Sequence, residues 1–454
     1  MKTVFLRFQS FIFQGSIRTI KIKKNVVGLA MLKGTSMMLG FVLLPLTLHY
    51  LDPSKYGIWL TLSSVIAWVG FFDIGLSNGL RNKLGEALAV EDKALARTLV
   101  STTLAMLVGI ITLVYMFFWL INPFLNWTAI LNAPTSMTIE INLLVIIVFS
   151  CFALRFVTGL ISTVLATDQR PALADSLNTL VSLLSLAVIY VLTVTTKNSL
   201  LYMGVSLSVI TVLVPLLASL WFFGHDYRLI APSLHYVDWS QIRGLAGQGI
   251  QFFGIQIAAL VLFATDNVII TQLFGPAEVV PYNIAYRLFS YVVVAFGLVL
   301  TPFWAAYNDA YNKQDLPWMK RATNRMLSLW GLLAIGVTLL FALSSFIYHF
   351  WIGDQVAVPV LLSFFMGVYV LVQTFNMIFV TFIFATGKLR VQMYVAIFAG
   401  IINIPLCILF GSILGFGPAG VILATAVCGV PNLLLAPIQY HKLIYGQAKG
   451  IWAR

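Results

Sequence analysis

The sequence predicts an all-α polytopic membrane protein of about twelve transmembrane helices, and three observations support this fold class. Of the 454 residues, 60% are hydrophobic and only 9% are charged, whereas a soluble domain usually carries about 25% charged residues. The apolar residues form blocks of twenty or more, long enough to cross roughly 30 Å of hydrocarbon as a helix. Lipid offers an open backbone no hydrogen-bond partner, so each block must be helical.

Twelve blocks have this length, six on each side of a central polar stretch. They cover residues 27–51, 56–79, 99–121, 141–166, 172–194, 200–223, 250–273, 280–303, 326–350, 358–384, 391–414 and 419–440. This pattern predicts two six-helix bundles and three polar segments. The two bundles cover residues 27–223 and 250–440. The polar segments are a basic cytoplasmic segment at 1–26, a cytoplasmic linker at 224–249 and a cytoplasmic tail at 441–454.

The two halves also share a weak internal repeat. Shifting the chain by 223 residues aligns Glu86 with Asp309 and Asp92 with Asp315. Such symmetry is typical of transporters built from structural repeats, which bind substrate between the halves. With six spans in each half, both repeats begin on the same side of the membrane, so we interpret them as parallel repeats.

The distribution of Lys and Arg predicts the orientation in the membrane. Of the 27 cations, Lys33, Arg155 and Arg287 lie inside spans and only Lys55 and Lys197 lie in the loops of one side, which leaves 22 on the other side. Cytoplasmic loops are enriched in Lys and Arg, so both termini should be cytoplasmic. Because these cations are dispersed over short loops, the net charge of +12 indicates membrane lipids as a partner and argues against nucleic acid.

The motifs of several enzyme classes are missing from the sequence. We find no GxxxxGK[ST] loop, no HExxH and no Cys/His cluster with metal-ligand spacing, and the three cysteines lie inside apolar blocks. The longest external loop runs only from Asn122 to Glu140, too short for a catalytic domain. The sequence therefore predicts no metal, no cofactor and no enzymatic activity.

Ionisable residues inside spans are functional candidates, because each costs about 2.5 to 3.5 kcal/mol at mid-membrane. Lys33 and Asp73 each lie six residues from the cytoplasmic end of a span, about 9 Å deep, so they can form an ion pair. Asp266 and Arg287 lie at matching depth on adjacent spans and can also pair. For each couple, the sequence leaves open whether the charges serve packing or function.

Arg155 lies close to the centre of the fourth span, and we find no acidic residue at its depth in any span. A guanidinium in that position must face a water-filled cavity or an anion, and its planar fork suits phosphate. We therefore predict that Arg155 binds an anionic ligand and that Lys33 adds a second positive charge to the same cavity. In the alternative reading, Arg155 bonds backbone carbonyls exposed at a helix break.

Amide side chains form a second polar group within the predicted spans. Gln248, Gln251 and Gln256 lie around the start of the seventh span, and Gln373 and Asn376 lie in the tenth. Interhelical hydrogen bonding is the role we favour over contact with substrate hydroxyls.

Three sequence runs carry a resemblance to a known family. These are YGI at 56–58, FFDIGLSNGLRN at 71–82, and TDNVII at 265–270 followed by YRLF at 286–289. Together with the span pattern, they resemble the polysaccharide and O-antigen flippases of the multidrug, oligosaccharidyl-lipid and polysaccharide exporter superfamily. The resemblance implies a MATE-like fold, with two six-helix bundles enclosing a central cavity.

The resemblance also implies a function in the bacterial inner membrane. Such a protein would move an undecaprenyl-pyrophosphate-linked oligosaccharide from the cytoplasmic to the periplasmic leaflet by alternating access, for O-antigen-type surface polysaccharide. It would act beside other polysaccharide assembly proteins. The pyrophosphate would meet Arg155 and Lys33, and Asp266, Arg287 and Asp73 are candidates for ion coupling or ion pairing. Two alternatives stay open: an ion-coupled multidrug exporter, disfavoured by Arg155, and a membrane polymerase, disfavoured by the short external loops.

Overall fold

The structure, a computed structural model, describes residues 17–73, 76–241 and 265–453, and every regular element in these ranges is helical. The fourteen α-helices of the described ranges that are longer than one turn are labelled in chain order. They are α1 Ile17–Tyr50, α2 Pro53–Ala67, α3 Leu76–Ala89, α4 Lys93–Ile121, α5 Thr138–Thr158, α6 Leu160–Thr167, α7 Pro171–Thr195, α8 Leu200–Gly224, α9 Asp266–Phe274, α10 Val279–Asn312, α11 Leu316–Ile352, α12 Val360–Thr386, α13 Arg390–Ile408 and α14 Pro418–Ile444.

Ten segments of the described chain are long and apolar enough to span a membrane. They confirm the all-α class and correspond to ten of the twelve predicted spans. The predicted span at 56–79 does not form one continuous helix, because α2 ends at Ala67 and a 3-10 turn, Trp68–Asp73, follows it. Most of the span predicted at 250–273 lies outside the described residues, as do Gln248, Gln251 and Gln256. The count of twelve therefore stays a prediction.

The chain divides into two compact units. The N-terminal unit consists of Met1–Leu51, Phe72–Asn126 and Thr138–Phe252, and the C-terminal unit consists of Asp52–Phe71, Trp127–Met137 and Phe253–Arg454. Helix α2 thus belongs to the C-terminal unit although it precedes α3 in the chain. The boundaries of the two predicted bundles, 27–223 and 250–440, stay predictions.

The same turn occurs at equivalent positions of the two halves, before α4 and before α11. Asp92 and Asp315 are the N-cap residues, and each carboxylate accepts a hydrogen bond from the backbone N–H three residues later, at 2.9 and 3.0 Å. The residues that precede them, Glu91 and Gln314, both have φ of +58°. Side-chain capping of free N–H groups explains why aspartate stands at both positions. The shared geometry supports the 223-residue repeat.

The core of the N-terminal unit forms where α3, α4, α6 and α7 pack together. Leu80 and Leu84 of α3 contribute to it with Leu99 of α4 and Val164 of α6, and all four are buried. The chain after α8 then returns along α4. There Ser233 N–H bonds to a serine hydroxyl of α4 at 3.0 Å, and the Arg97 Nε–H bonds to a backbone carbonyl of the returning segment at 3.0 Å.

An ion cluster joins the loop between α6 and α7 to the end of α8. Arg170 lies 3.2 Å from Asp168 and 2.7 Å from Asp226, and the Tyr227 hydroxyl donates to Asp168 at 2.8 Å. Burial and the neighbouring Asp168 carboxylate raise the pKa of Tyr227, so its hydroxyl stays a hydrogen-bond donor. The cluster fixes the ends of three helices, although sequence reasoning did not single it out.

The core of the C-terminal unit is rich in aromatic residues. Tyr307 of α10 is fully buried, donates or accepts a hydrogen bond with Thr323 of α11 at 3.0 Å, and packs edge-on against Phe382 of α12. Helices α12 and α14 approach closely at Gly429, where an added Cβ would lie 2.8 Å from Val372 Cγ1. This contact places the polar side chains of α12 beside α14.

Candidate functional site

Arg155 of the N-terminal unit lies at an interruption between two helices. Helix α5 ends at Thr158 and α6 begins at Leu160, with Gly159 between them. The Arg155 side chain donates from Nη1 to the backbone carbonyl of Thr211 in α8, at 2.8 Å. Arg155 thus has a backbone partner on a neighbouring helix.

Pro215 explains why the Thr211 carbonyl is available. In an α-helix this carbonyl would accept from the N–H four residues later, but Pro215 occupies that position and has no N–H. The guanidinium replaces the missing donor. The alternative reading from the sequence, in which Arg155 bonds a carbonyl exposed at a helix break, thus describes one of its contacts.

A cavity of about 190 Å³ adjoins Arg155. It is also lined by Gly159, Ser162, Asn178 and Pro215, together with two apolar residues of α7. A guanidinium has five N–H donors, and the one hydrogen bond that Arg155 makes to a described residue uses a single nitrogen. The site therefore combines a fixed positive charge, neutral polar side chains and free volume, which suits an anionic group.

Lys33 forms its ion pair with Asp175 of α7, with Nζ and Oδ1 3.7 Å apart. The predicted pair between Lys33 and Asp73 is wrong. Asp73 instead accepts hydrogen bonds from the backbone N–H and the hydroxyl of Ser77 at the start of α3. Sequence reasoning missed Asp175, whose signal was a carboxylate just inside a predicted span.

Helix α7 carries both the ion-pair partner of Lys33 and a residue that lines the Arg155 cavity. Asp175, which holds Lys33, lies three residues before Asn178, which lines the Arg155 cavity. Residues three apart lie on the same helix face, about 4.5 Å apart along the axis. On the next turn, Ser36 of α1 hydrogen-bonds to Thr179 at 2.9 Å. The N-terminal unit thus contains a continuous polar face on α7.

Asp266 begins α9 and is 4% exposed. Its Oδ2 accepts a hydrogen bond from the Tyr282 hydroxyl, and the described structure contains no ion pair between Asp266 and Arg287. The pair that the matching depths allowed is therefore not formed: the carboxylate is held by Tyr282, which lies five residues before Arg287 on α10, about 140° away around the helix axis. Asp266 Oδ1 has no hydrogen-bond partner among the described residues.

Three tyrosines follow one another from Asp266 towards α12. The rings of Tyr282 and Tyr286 are nearly parallel, with centroids 6.3 Å apart, and Tyr286 lies 6.3 Å from Tyr369. Tyr369 lines a second cavity, inside the C-terminal unit, that also includes Gln373 and Asn376. The amide nitrogen of Asn376 donates to a backbone carbonyl of α14 at 3.0 Å, so the predicted interhelical hydrogen bond is present at this residue.

The described helices define a multi-pass membrane protein with the MATE fold. A multidrug resistance MATE family transporter of the MOP superfamily, in its inward-facing conformation, matches with a TM-score of 0.78 at 12% sequence identity, over 91% of this chain and 96% of that chain. Lipid II flippase MurJ, in its inward closed conformation, matches with a TM-score of 0.69 at 13% identity, over 92% and 89%. At these identities the likeness shows the fold.

Sequence comparison gives the family. The model of the family described as "Polysaccharide biosynthesis protein" matches residues 22–306, and the chain belongs to that family. A curated relative from Salmonella typhimurium (strain LT2), named "Putative O-antigen transporter", is 23% identical over 313 residues, which are 66% of this chain and 67% of the relative. Family membership agrees with the resemblance seen in the sequence runs.

Proposed function

We propose that this protein is a flippase that moves an undecaprenyl-pyrophosphate-linked oligosaccharide from the cytoplasmic to the periplasmic leaflet of a bacterial inner membrane. The oligosaccharide is the repeat unit of an O-antigen-type surface polysaccharide. The MATE fold suits alternating access. The family, and the name of its Salmonella relative, point to a polysaccharide precursor as cargo.

The observation that carries this proposal is the cavity beside Arg155. A permanent positive charge within a span requires an anionic or strongly polar counterpart, and Arg155 lines free volume while one of its nitrogens is held by the Thr211 carbonyl. A pyrophosphate offers several acceptor oxygens to the remaining N–H groups. The cationic drugs of a multidrug exporter would instead be repelled by this charge.

The other predicted site residues receive narrower roles in this proposal. Lys33 supplies a second positive charge on the polar face of α7, with Asp175 as its resting counterion. Asp266 is the candidate coupling carboxylate, because it is buried and its Oδ1 has no hydrogen-bond partner among the described groups. Asp73 holds the start of α3 through Ser77, and Arg287 has no assigned contact with substrate.

A deletion strain tests the function against both alternatives. Without the flippase, the lipid-linked oligosaccharide is still made but accumulates on the inner leaflet, and surface polysaccharide is lost. A multidrug exporter predicts intact polysaccharide and raised sensitivity to cationic compounds, whereas a polymerase predicts single repeat units at the surface without long chains. Polysaccharide length, leaflet position of the lipid and drug sensitivity are measured in one strain, with the wild-type gene restored as control. Unchanged polysaccharide would overturn the proposal.

A further inference from the structure

The C-terminal unit contains an uncharged, largely apolar cavity of about 210 Å³ between α12, α13 and α14. Its described lining includes no charged side chain, yet six of the residues around it carry hydroxyl or amide groups. These are Tyr369, Gln373, Asn376, Gln392, Thr425 and Asn432. Amide and hydroxyl groups donate as well as accept hydrogen bonds, so the cavity is suited to a ligand that does both.

The polar groups occupy one face of α12 near the middle of a span. Tyr369, Gln373 and Asn376 follow one another at spacings of four and three residues, which places them on the same side of the helix. Polar residues at this depth are costly when they face lipid and are typical of ligand pathways when they face a cavity. Gln373 makes no hydrogen bond to any described residue, although it lines the cavity.

Two acceptors at the cavity have no hydrogen-bond partner among the described groups. Asn376 is 6% exposed, and its nitrogen is fixed by a 3.0 Å hydrogen bond to the Gly429 carbonyl, but its Oδ1 is unsatisfied. The Oδ1 of Asn432, on α14, is unsatisfied as well. Buried acceptors are normally paired in native proteins, and exceptions call for an explanation. Both oxygens have almost no accessible surface in this structure, so a ligand donor would reach them once the side chains turn towards the cavity.

We propose that this cavity binds a neutral sugar residue of the lipid-linked oligosaccharide, an inference that rests on the proposed function. A phosphate would need a cationic donor in the lining, and a cation would be held more weakly without a carboxylate. A sugar hydroxyl both donates to an amide oxygen and accepts from an amide nitrogen. The volume corresponds to about seven waters at roughly 30 Å³ each, room for one sugar ring. Whole small-molecule sites usually measure about 300 to 1,000 Å³, so the cavity takes one part of a larger cargo.

The test compares the wild type with one double variant, which carries Gln373→Leu and Asn432→Leu, in proteoliposomes. Neither residue hydrogen-bonds to a described residue, so the substitutions break no such contact. The probes are undecaprenyl pyrophosphate carrying the repeat unit, as transported substrate, and the same lipid without sugar, as inhibitor. Each lost hydrogen bond weakens binding about 2- to 12-fold, so the loss of two should raise the half-saturating substrate concentration about 5- to 150-fold. The concentration of sugar-free lipid that half-inhibits transport should change less than about 2-fold.

Two controls complete the design. Thr338→Val is the matched control, because this exposed residue of α11 bonds only to a carbonyl of its own helix. Free repeat-unit oligosaccharide, released by mild acid, should raise the thermal unfolding midpoint of the purified wild type and not of the double variant. The sugar site is refuted, while the flippase function stands, if the double variant transports the substrate with an unchanged half-saturating concentration. The same conclusion follows if its affinity for the sugar-bearing lipid and its affinity for the sugar-free lipid fall by equal factors. If the wild type moves no sugar-bearing lipid, the proposed function itself fails.

Discussion

Replacing Arg155 and Pro215 separately and together distinguishes a structural role of Arg155 from a role in substrate binding. Arg155→Ala removes the donor to the Thr211 carbonyl and also removes the positive charge beside the cavity. A lost hydrogen bond to a charged group costs about 1.5 to 3 kcal/mol. Pro215→Ala restores a backbone N–H that can reach the Thr211 carbonyl and removes a residue that is unfavourable inside a helix. The double variant should therefore regain the stability that Arg155→Ala loses.

Transport should respond differently. If Arg155 binds the pyrophosphate, Arg155→Ala also removes a charged hydrogen bond to the substrate. The loss of about 1.5 to 3 kcal/mol corresponds to a fall of about 10- to 150-fold in transport efficiency, and Pro215→Ala does not recover it. Arg155→Lys keeps the charge without the bidentate fork and should retain part of the activity. Thermal unfolding of the purified variants and surface polysaccharide in complemented deletion cells supply the two measurements. Full transport by the stable double variant would refute the binding role and leave Arg155 as a structural residue.

Two further predictions concern orientation and Asp266. Alkaline phosphatase fusions at Lys197 and Asp354 should be active, because the cation distribution places these loops outside; comparable activity from a fusion within 225–243 would contradict cytoplasmic termini. The charge swap Asp266→Arg with Arg287→Asp should recover none of the expression lost in the single variants, since a tyrosine hydroxyl contacts the carboxylate. Recovery on immunoblots would show that the two charges interact.

The fold class was predictable because it depends on properties that can be measured along the chain. Block length, charge position and the 223-residue offset can all be read along the sequence. The offset aligns Asp92 with Asp315, and in the structure both residues cap a helix. The exception was the span predicted at 56–79. Its apolar composition did not reveal that α2 would end at Ala67.

The ion pairs were mispredicted because depth alone does not determine which residues meet. Lys33 and Asp73 were matched by distance from the span ends, but rotation about the helix axis and the choice of neighbouring helix bring Asp175 to Lys33. Rotation also separates Arg287 from Asp266. The partner of Arg155 was more accessible to reasoning, since Pro215 necessarily frees the carbonyl of residue 211. Nothing in the sequence indicated that this carbonyl lies opposite Arg155.

The turn shared by the two halves does not depend on one residue type. Glu91 and Gln314 differ in charge, and neither is glycine, yet both adopt the same left-handed conformation before an aspartate cap. A left-handed residue followed by a side-chain cap is thus a local arrangement that tolerates different residues and sets the start of both α4 and α11.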